Sequence, residues 1–413
     1  MPSVEGLGAR RASLQLLDAV LRRGQTLEGA ASSVKGLSPP DRALALAIAG
    51  ETLRRMPDLD DLIDSATRQR LADDSKARMV LRLALAQKIG LNTPDHALVS
   101  TALPLVDGGP RRLVHGVLGT LLRRGLPVAQ AAALPPAVED RWREAWGDEP
   151  VEAARRQIVR RPALDLSFAD DDEAKSYALE HDGTSLAPRH VRLASTSVTD
   201  LAAFDEGRWW VQDLAASLPA RLIPPGAADV LDLCAAPGGK TMQLASAGRR
   251  VTAVDASESR LGRLSENLAR TNLSAELVQA DALEWQPDRA FDAILLDAPC
   301  SATGTFRRHP EVLYRARPRI IADNAGLQAR LLARAAQWLK PGGALVYSVC
   351  SLEPVEGENI VASSGLRVDR PAIGELPDFA LLSDEGWVRI VPGILEAEGG
   401  LDGFFMARLV RGD

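Results

Sequence analysis

The sequence predicts an all-α region followed by an open α/β domain wound around a mostly parallel sheet. Up to about residue 130, apolar residues recur at helical spacing. After about residue 205, short β-branched or aliphatic runs alternate with helical stretches, and the positions just past those runs are rich in Asp and Gly. The 413 residues, 46% hydrophobic and 25% charged, are enough for two cores and fit neither a disordered nor a collagen-like class.

In the first part, Leu14, Leu17 and Leu21 fall at i, i+3 and i+7, and the segments 41–55, 76–90, 95–106 and 111–124 repeat that pattern. Pro39, Pro40 and Asp41 mark a helix start; Gly90 and Asn92 mark a stop, with Pro94 and Asp95 opening the next helix. The helical domain is expected over 1–130, a connector and small subdomain carrying Pro135, Pro136 and Arg160–Pro162 over 131–204, and the α/β domain over 205–413. Net charge is -6, but residues 1–130 hold 18 Lys and Arg against 13 Asp and Glu, and the remainder 31 against 42. Twin arginines at Arg10/Arg11, Arg22/Arg23, Arg54/Arg55, Arg111/Arg112 and Arg123/Arg124 read as lying near helix ends, where they could meet the phosphates of a polyanion.

No run approaches the roughly 18 apolar residues of a membrane span, and Glu5, Arg10 and Arg11 interrupt any secretory signal, so a cytoplasmic protein is expected. Cys234, Cys300 and Cys350 are too few and too far apart for a disulfide framework or a zinc finger. The histidines at 96, 115, 181, 190 and 309 form no i,i+4 pair, so no metal site is expected.

In the second part, strands are expected at 229–233, 250–254, 276–279, 292–296 and 344–349. A last apolar run, Gly403–Leu409, leaves no room for a crossover helix and is read as antiparallel. Open α/β sheets bind ligands beyond the carboxyl ends of their strands. There the first strand runs into Cys234-Ala235-Ala236-Pro237-Gly238-Gly239-Lys240-Thr241, whose glycines would let backbone approach a ligand. The next strands lead to Asp255, Asp281 and Asp297. An acid at the tip of the second strand suits two ribose hydroxyls, so an adenosine cofactor is implied. The G-x-G-x-x-G of dinucleotide folds is missing, and so is the first glycine of a P-loop. S-adenosylmethionine, cationic and without phosphate, fits a short glycine turn among carboxylates.

Two thiols follow strands at this same edge, in Asp297-Ala298-Pro299-Cys300-Ser301 and Ser348-Val349-Cys350-Ser351. Enzymes that methylate exocyclic amines carry Asn/Asp-Pro-Pro-aromatic at the first of these places, so Asp-Ala-Pro-Cys disfavours that chemistry. Pyrimidine C5 becomes nucleophilic only after a group adds to C6, and a thiolate adds and leaves readily. Asp297 is placed to hydrogen-bond near N3 as charge develops. The residues alone leave open which thiol attacks. Cys234, inside the turn, is read as a small packing residue.

Cys-Ala-Ala-Pro-Gly-Gly-Lys-Thr, Asp-Ala-Pro-Cys-Ser and Ser-Val-Cys-Ser, in that order, resemble the NOL1/NOP2/Sun family of RNA cytosine-C5 methyltransferases over roughly residues 205–410. The helical part, including Arg112–Leu118, resembles the NusB-like domain of the RsmB (Sun/Fmu) branch, which methylates small-subunit ribosomal RNA. The resemblance implies a Rossmann-like class I methyltransferase sheet behind a NusB-like helical domain. It implies S-adenosylmethionine held by Cys234–Lys240, Asp255, Asp281 and Asp297, with Cys350 the nucleophile and Cys300 the thiol assisting release. Two departures stand out: Ala302 where the family usually has glycine, and Val349 where threonine is common. Thr305–Pro310 offers Phe306 for base stacking and Arg307 and Arg308 for phosphates, and Trp209 and Trp210 resemble a segment near the cofactor. The rival expectations are C5 methylation of transfer RNA and a non-catalytic RNA-binding or ribosome-assembly factor. A nucleotide-dependent oxidoreductase would need the missing dinucleotide fingerprint.

Overall fold

The computed structural model describes residues 6–126, 130–194, 198, 201 and 203–411, leaving Glu5 outside them. The chain forms two compact units: Met1–Glu144 with Ala154–Arg160 and Phe306–Ala316, and Ala145–Ala153 with Arg161–Thr305 and Arg317–Asp413.

The helical unit contains α1 (Leu7–Leu21), α2 (Leu27–Ser33), α3 (Pro39–Ser65), α4 (Lys76–Leu91), α5 (Asp95–Ala102), α6 (Gly108–Arg124) and most of α7 (Pro136–Trp146). Ser38 caps α3, its Oγ accepting from the Asp41 amide at 3.3 Å, while Pro39 and Pro40 occupy first-turn positions that need no amide donor. This helix outruns the expected 41–55 and passes through Pro57 to Ser65. A proline inside a helix leaves the carbonyl four residues back without its donor. Here that carbonyl belongs to Leu53, and the Tyr314 hydroxyl donates to it at 2.7 Å. Tyr314 belongs to the segment Phe306–Ala316, which the later part of the chain contributes to the helical unit.

The twin arginines divide into buried and exposed members. Arg10 is buried with Nε on Gln87 at 2.8 Å, and Arg55 is buried against Glu51 in the interior of α3, not at a helix end. Arg22 and Arg23 pair with Asp18. Arg111, Arg112, Arg123 and Arg124 are exposed on α6, a helix without an acidic residue. The reading of all five pairs as a phosphate face is therefore corrected for Arg10 and Arg55. Among the described residues, no helix is long and apolar enough to cross a membrane.

In the second unit α8 (Asp148–Gln157), which it shares with the first, leads to β1 (Leu164–Phe168), α9 (Asp171–Glu180), β2 (His190–Leu193) and β3 (Trp209–Val211). These strands form an antiparallel sheet in the order β2-β1-β3. Asp165 on β1 takes a bidentate pair from Arg192 on β2 and accepts from the Leu214 amide at 2.9 Å, fixing the start of α10 (Leu214–Arg221).

The main sheet is assembled from β4 (Asp229–Leu233), α11 (Gly239–Ser246), β5 (Arg250–Asp255), α12 (Glu258–Arg270), β6 (Glu276–Gln279), β7 (Phe291–Asp297), α13 (Val312–Arg315), α14 (Pro318–Ala335), β8 (Leu339–Val349), α15 (Glu358–Ser363), β9 (Arg367–Val368), β10 (Val388–Ile390) and β11 (Phe404–Val410), with α13 lying in the helical unit. The strand order is β10-β11-β8-β7-β4-β5-β6, with β9 beside β11. β4 through β8 pair in parallel. As expected, the last run is antiparallel to β8. Period-two alternation sends Leu231, Leu233, Ile294, Leu296, Leu345 and Tyr347 into one core and Val230, Ala293, Leu295, Val346, Phe404 and Met406 into another. Layers on both faces explain why these strands read as continuous apolar runs.

Candidate active site

The carboxyl ends of β4, β5, β7 and β8 bring the predicted residues to one edge. After β4 the chain turns through Cys234 at φ 60 and Gly238 at φ 108, and α11 starts at Gly239. The Ala236 amide donates to Asp255 Oδ2 at 3.2 Å, tying the turn to the tip of β5. Asp255 is enclosed and also accepts from the Ser257 amide at 2.9 Å and from Arg260 at 2.8 Å. A side chain at Gly238 would strike Leu264 Cδ1 at 2.1 Å, and one at Gly239 would approach Gln212 at 3.2 Å. Helix packing and a left-handed turn thus account for glycine at these two positions. Asp281 is exposed, and its Oδ1 accepts from the Leu283 amide at 2.9 Å.

Lys240 reaches from α11 to Asp297 Oδ2 at 2.7 Å, and Ser348 Oγ donates to Asp297 Oδ1 at 2.9 Å. Behind this pair, Asp232 is fully buried and accepts from Thr241 Oγ1 at 2.6 Å, while its Oδ1 has no hydrogen-bond partner. Burial pushes the Asp232 carboxyl up to about 7, against the opposing effects of Thr241 and Lys240. Burial, then the charges of Asp297, Asp255 and Asp232, push the Cys234 thiol up to about 12. A thiol held protonated at neutral pH is no nucleophile, in keeping with the packing role expected of Cys234.

Asp297 on β7 lies opposite Ser348 on β8, so the two parallel strands deliver the following loops side by side. Cys300 Sγ and Cys350 Sγ are 3.6 Å apart, and the Gly304 amide donates to the Cys350 carbonyl at 3.0 Å. The Cys300 thiol is held well above its ordinary value, first by its hydrogen bond to Cys350 and then by burial. Ala302 has φ 57, the left-handed conformation that favours glycine, which explains why glycine suits this position. Val349 is buried in the sheet.

One expectation is corrected. Phe306 is fully buried with its ring edge-on to Trp142 at 5.4 Å, so it cannot stack on a base, and Arg307 is buried too. Trp209 and Trp210 are core residues, Trp209 against Phe204 and Tyr177, and Trp210 bonded to Gln212 at 2.8 Å. Among the described residues no group of His, Cys, Asp and Glu could hold a metal ion. Sequence reasoning missed Glu356, buried beneath both thiol loops. Its acid-rich stretch, Glu353 to Glu358, reads as a solvated loop; the available signal was its place just after Cys350 at the end of β8.

A parallel sheet ending in a glycine turn and a row of acids, with an antiparallel last strand, defines a class I methyltransferase that uses S-adenosylmethionine. The 16S rRNA methyltransferase RsmB/F family matches residues 220–410, and the NusB family matches 7–123. The chain is 33% identical to the ribosomal RNA small subunit methyltransferase B of Erwinia tasmaniensis, over 96% of this chain and 97% of that one. Identity to the protein of that name from Xylella fastidiosa is 34%, over 98% and 99%. The crystal structure of PH0851 has the same fold, with a TM-score of 0.71 over 99% of each chain at 22% identity. The chain belongs to the ribosomal RNA small subunit methyltransferase B family.

Proposed function

We propose that this protein methylates C5 of a cytosine in small-subunit ribosomal RNA through a transient bond between Cys350 Sγ and C6. The observation that carries this reading is the 3.6 Å approach of Cys300 and Cys350 beside Asp297. The two thiols share a hydrogen bond in which either sulfur can donate, and the Cys300 thiol is held above its ordinary value, so Cys350 is taken as the sulfur that attacks. Its addition to C6 forms an S–C bond and moves the ring electrons toward C5. Asp297 as a carboxylate can only accept, so the hydrogen bond needed at N3 is supplied by its pair with Lys240. After C5 is substituted, a base takes the C5 proton and the S–C bond breaks. Cys300 stabilises the departing Cys350 thiolate by hydrogen bonding.

S-adenosylmethionine supplies an electrophilic methyl group on a cationic sulfur. The residues that would hold it are Cys234, Ala235, Ala236, Pro237, Gly238, Gly239 and Lys240, with Asp255, Asp281 and Asp297. The unpartnered Asp232 Oδ1 beside this turn supports a polar, cationic occupant. The exposed arginines of α6 are the candidates for RNA phosphates. A ribosomal RNA substrate implies a cytoplasmic address.

The test is methylation of unmethylated 16S ribosomal RNA by the full chain, with 5-methylcytosine mapped by bisulfite sequencing. Methylation at a defined cytosine is expected. Methylation confined to transfer RNA, or tight RNA binding with no turnover, would overturn the reading in favour of its rivals.

A further inference from the structure

We infer that Glu356 is a positioning residue: its buried carboxylate clasps the serines that directly follow the two cysteines, and so sets the separation of the thiols. The inference rests on the two-thiol reading above and adds a residue to it.

Glu356 ends the short turn Pro354–Glu356 and is fully buried. Its Oε1 accepts from the Ser301 amide at 2.8 Å and from Gln328 Nε2 at 3.3 Å. Its Oε2 accepts from both Ser301 Oγ and Ser351 Oγ. The two hydroxyls are 3.2 Å apart, and Ser351 Oγ also lies 3.3 Å from Thr303 Oγ1. Gln328 on α14 donates in addition to the Pro299 carbonyl at 2.8 Å, and the Tyr347 hydroxyl donates to the Glu356 carbonyl at 2.6 Å. One carboxylate therefore joins residues adjacent to Cys300, residues adjacent to Cys350, and the helix behind them.

The chemistry calls for an acceptor of this kind. A buried carboxylate is costly unless donors satisfy it, and all four donors on Glu356 are neutral hydroxyl or amide groups. An ion pair would serve stability as well; a carboxylate that draws two hydroxyls onto a single oxygen fixes distance. Each serine is one residue from its cysteine, so release of either hydroxyl frees the neighbouring thiol to move. The Glu356 charge is also among the causes that hold the Cys300 thiol high, behind the hydrogen bond to Cys350 and burial.

The decisive experiment needs neither RNA nor S-adenosylmethionine, so its failure is distinct from failure of the proposed function. Full-length protein is treated with diamide, which takes two electrons and two protons from Cys300 and Cys350 as it is reduced to the hydrazine, leaving a disulfide counted by mass spectrometry after thiol blocking. Wild type is expected to close this bond rapidly. Glu356→Ala and Glu356→Gln are each expected to slow closure at least ~10-fold, and in turnover to lower kcat by about 100-fold with KM for RNA unchanged, as misplacement of reacting groups by about 1 Å does. Ser351→Ala serves as a second variant in case loss of the carboxylate prevents folding, and is expected to slow closure in the same direction. Folded Glu356→Ala or Ser351→Ala protein that closes the bond at the wild-type rate would overturn the inference.

Discussion

In the helical unit two buried arginines are neutralised by carboxylates of the neighbouring helix: Arg78 binds Asp60 at 2.8 Å and also Asp64, and Arg82 clasps Asp60 at 2.7 and 2.8 Å. At the reacting edge of the methyltransferase unit two fully buried acids, Asp232 and Glu356, have hydroxyls and amides as their hydrogen-bond partners, while Asp255 beside them pairs with Arg260. The first arrangement is closed, each charge meeting its opposite, and it joins α4 to α3. The second holds its acids with neutral donors, beside the glycine turn and a pair of thiols. Ion pairs between helices thus serve as scaffold in the Arg78–Arg82 network, whereas Asp232 and Glu356 at the reacting edge are held by neutral donors alone.

If that contrast is right, the largest loss of stability comes from the closed network. Arg78→Met leaves Asp64 with only the exposed Arg70 at 3.8 Å and Asp60 with only Arg82, and is expected to cost about 3 kcal/mol, at the low end for a buried pair because both acids are partly exposed. Urea unfolding of the full chain measures it, and a cost near zero would mean that the ion pairs are not what joins the helices. A smaller effect is expected at the neutral repair of α3. Tyr314→Phe removes the donor that replaces the amide Pro57 lacks, and should cost about 1–2 kcal/mol. In a Pro57→Ala background, where the backbone supplies its own donor, most of that cost should vanish in a double-mutant cycle.

These two sites also mark the limit of what the sequence made legible. The strands of the main sheet appeared as apolar runs because both their faces are covered, and the site acids and thiols stood out because each follows a strand. The continuation of α3 past Pro57 did not, since its compensation comes from Tyr314, 261 residues away from Leu53. β2 is buried at all four positions and β3 spans three residues, so neither shows the alternation that announces a strand. Arg10 and Arg112 look alike as letters. One is locked to Gln87 inside the bundle and the other lies on the surface, and only packing separates them. Phe306 likewise offered a ring whose direction nothing local could fix.

A still smaller change, of opposite sign, tests the thiol loop. Ala302→Gly relieves a left-handed backbone and is expected to raise stability by about 1 kcal/mol, read in the same urea titration. The least effect on folding is expected on α6. Arg112→Ala with Arg123→Ala should leave the unfolding curve unchanged, yet lower the slope of log binding constant against log salt for ribosomal RNA by about 2. Arg10→Ala should do the reverse, destabilising the bundle while leaving that slope intact.

In the proposed reaction Cys350, with Cys300 3.6 Å away, forms the bond to the base. Incubation of Cys300→Ala and Cys350→Ala proteins with labelled 16S ribosomal RNA and S-adenosylmethionine, followed by a denaturing gel, shows which sulfur does so. A covalent protein–RNA band from Cys300→Ala, and none from Cys350→Ala, is the expected result. A band from Cys350→Ala and none from Cys300→Ala would exchange the two roles and contradict the account.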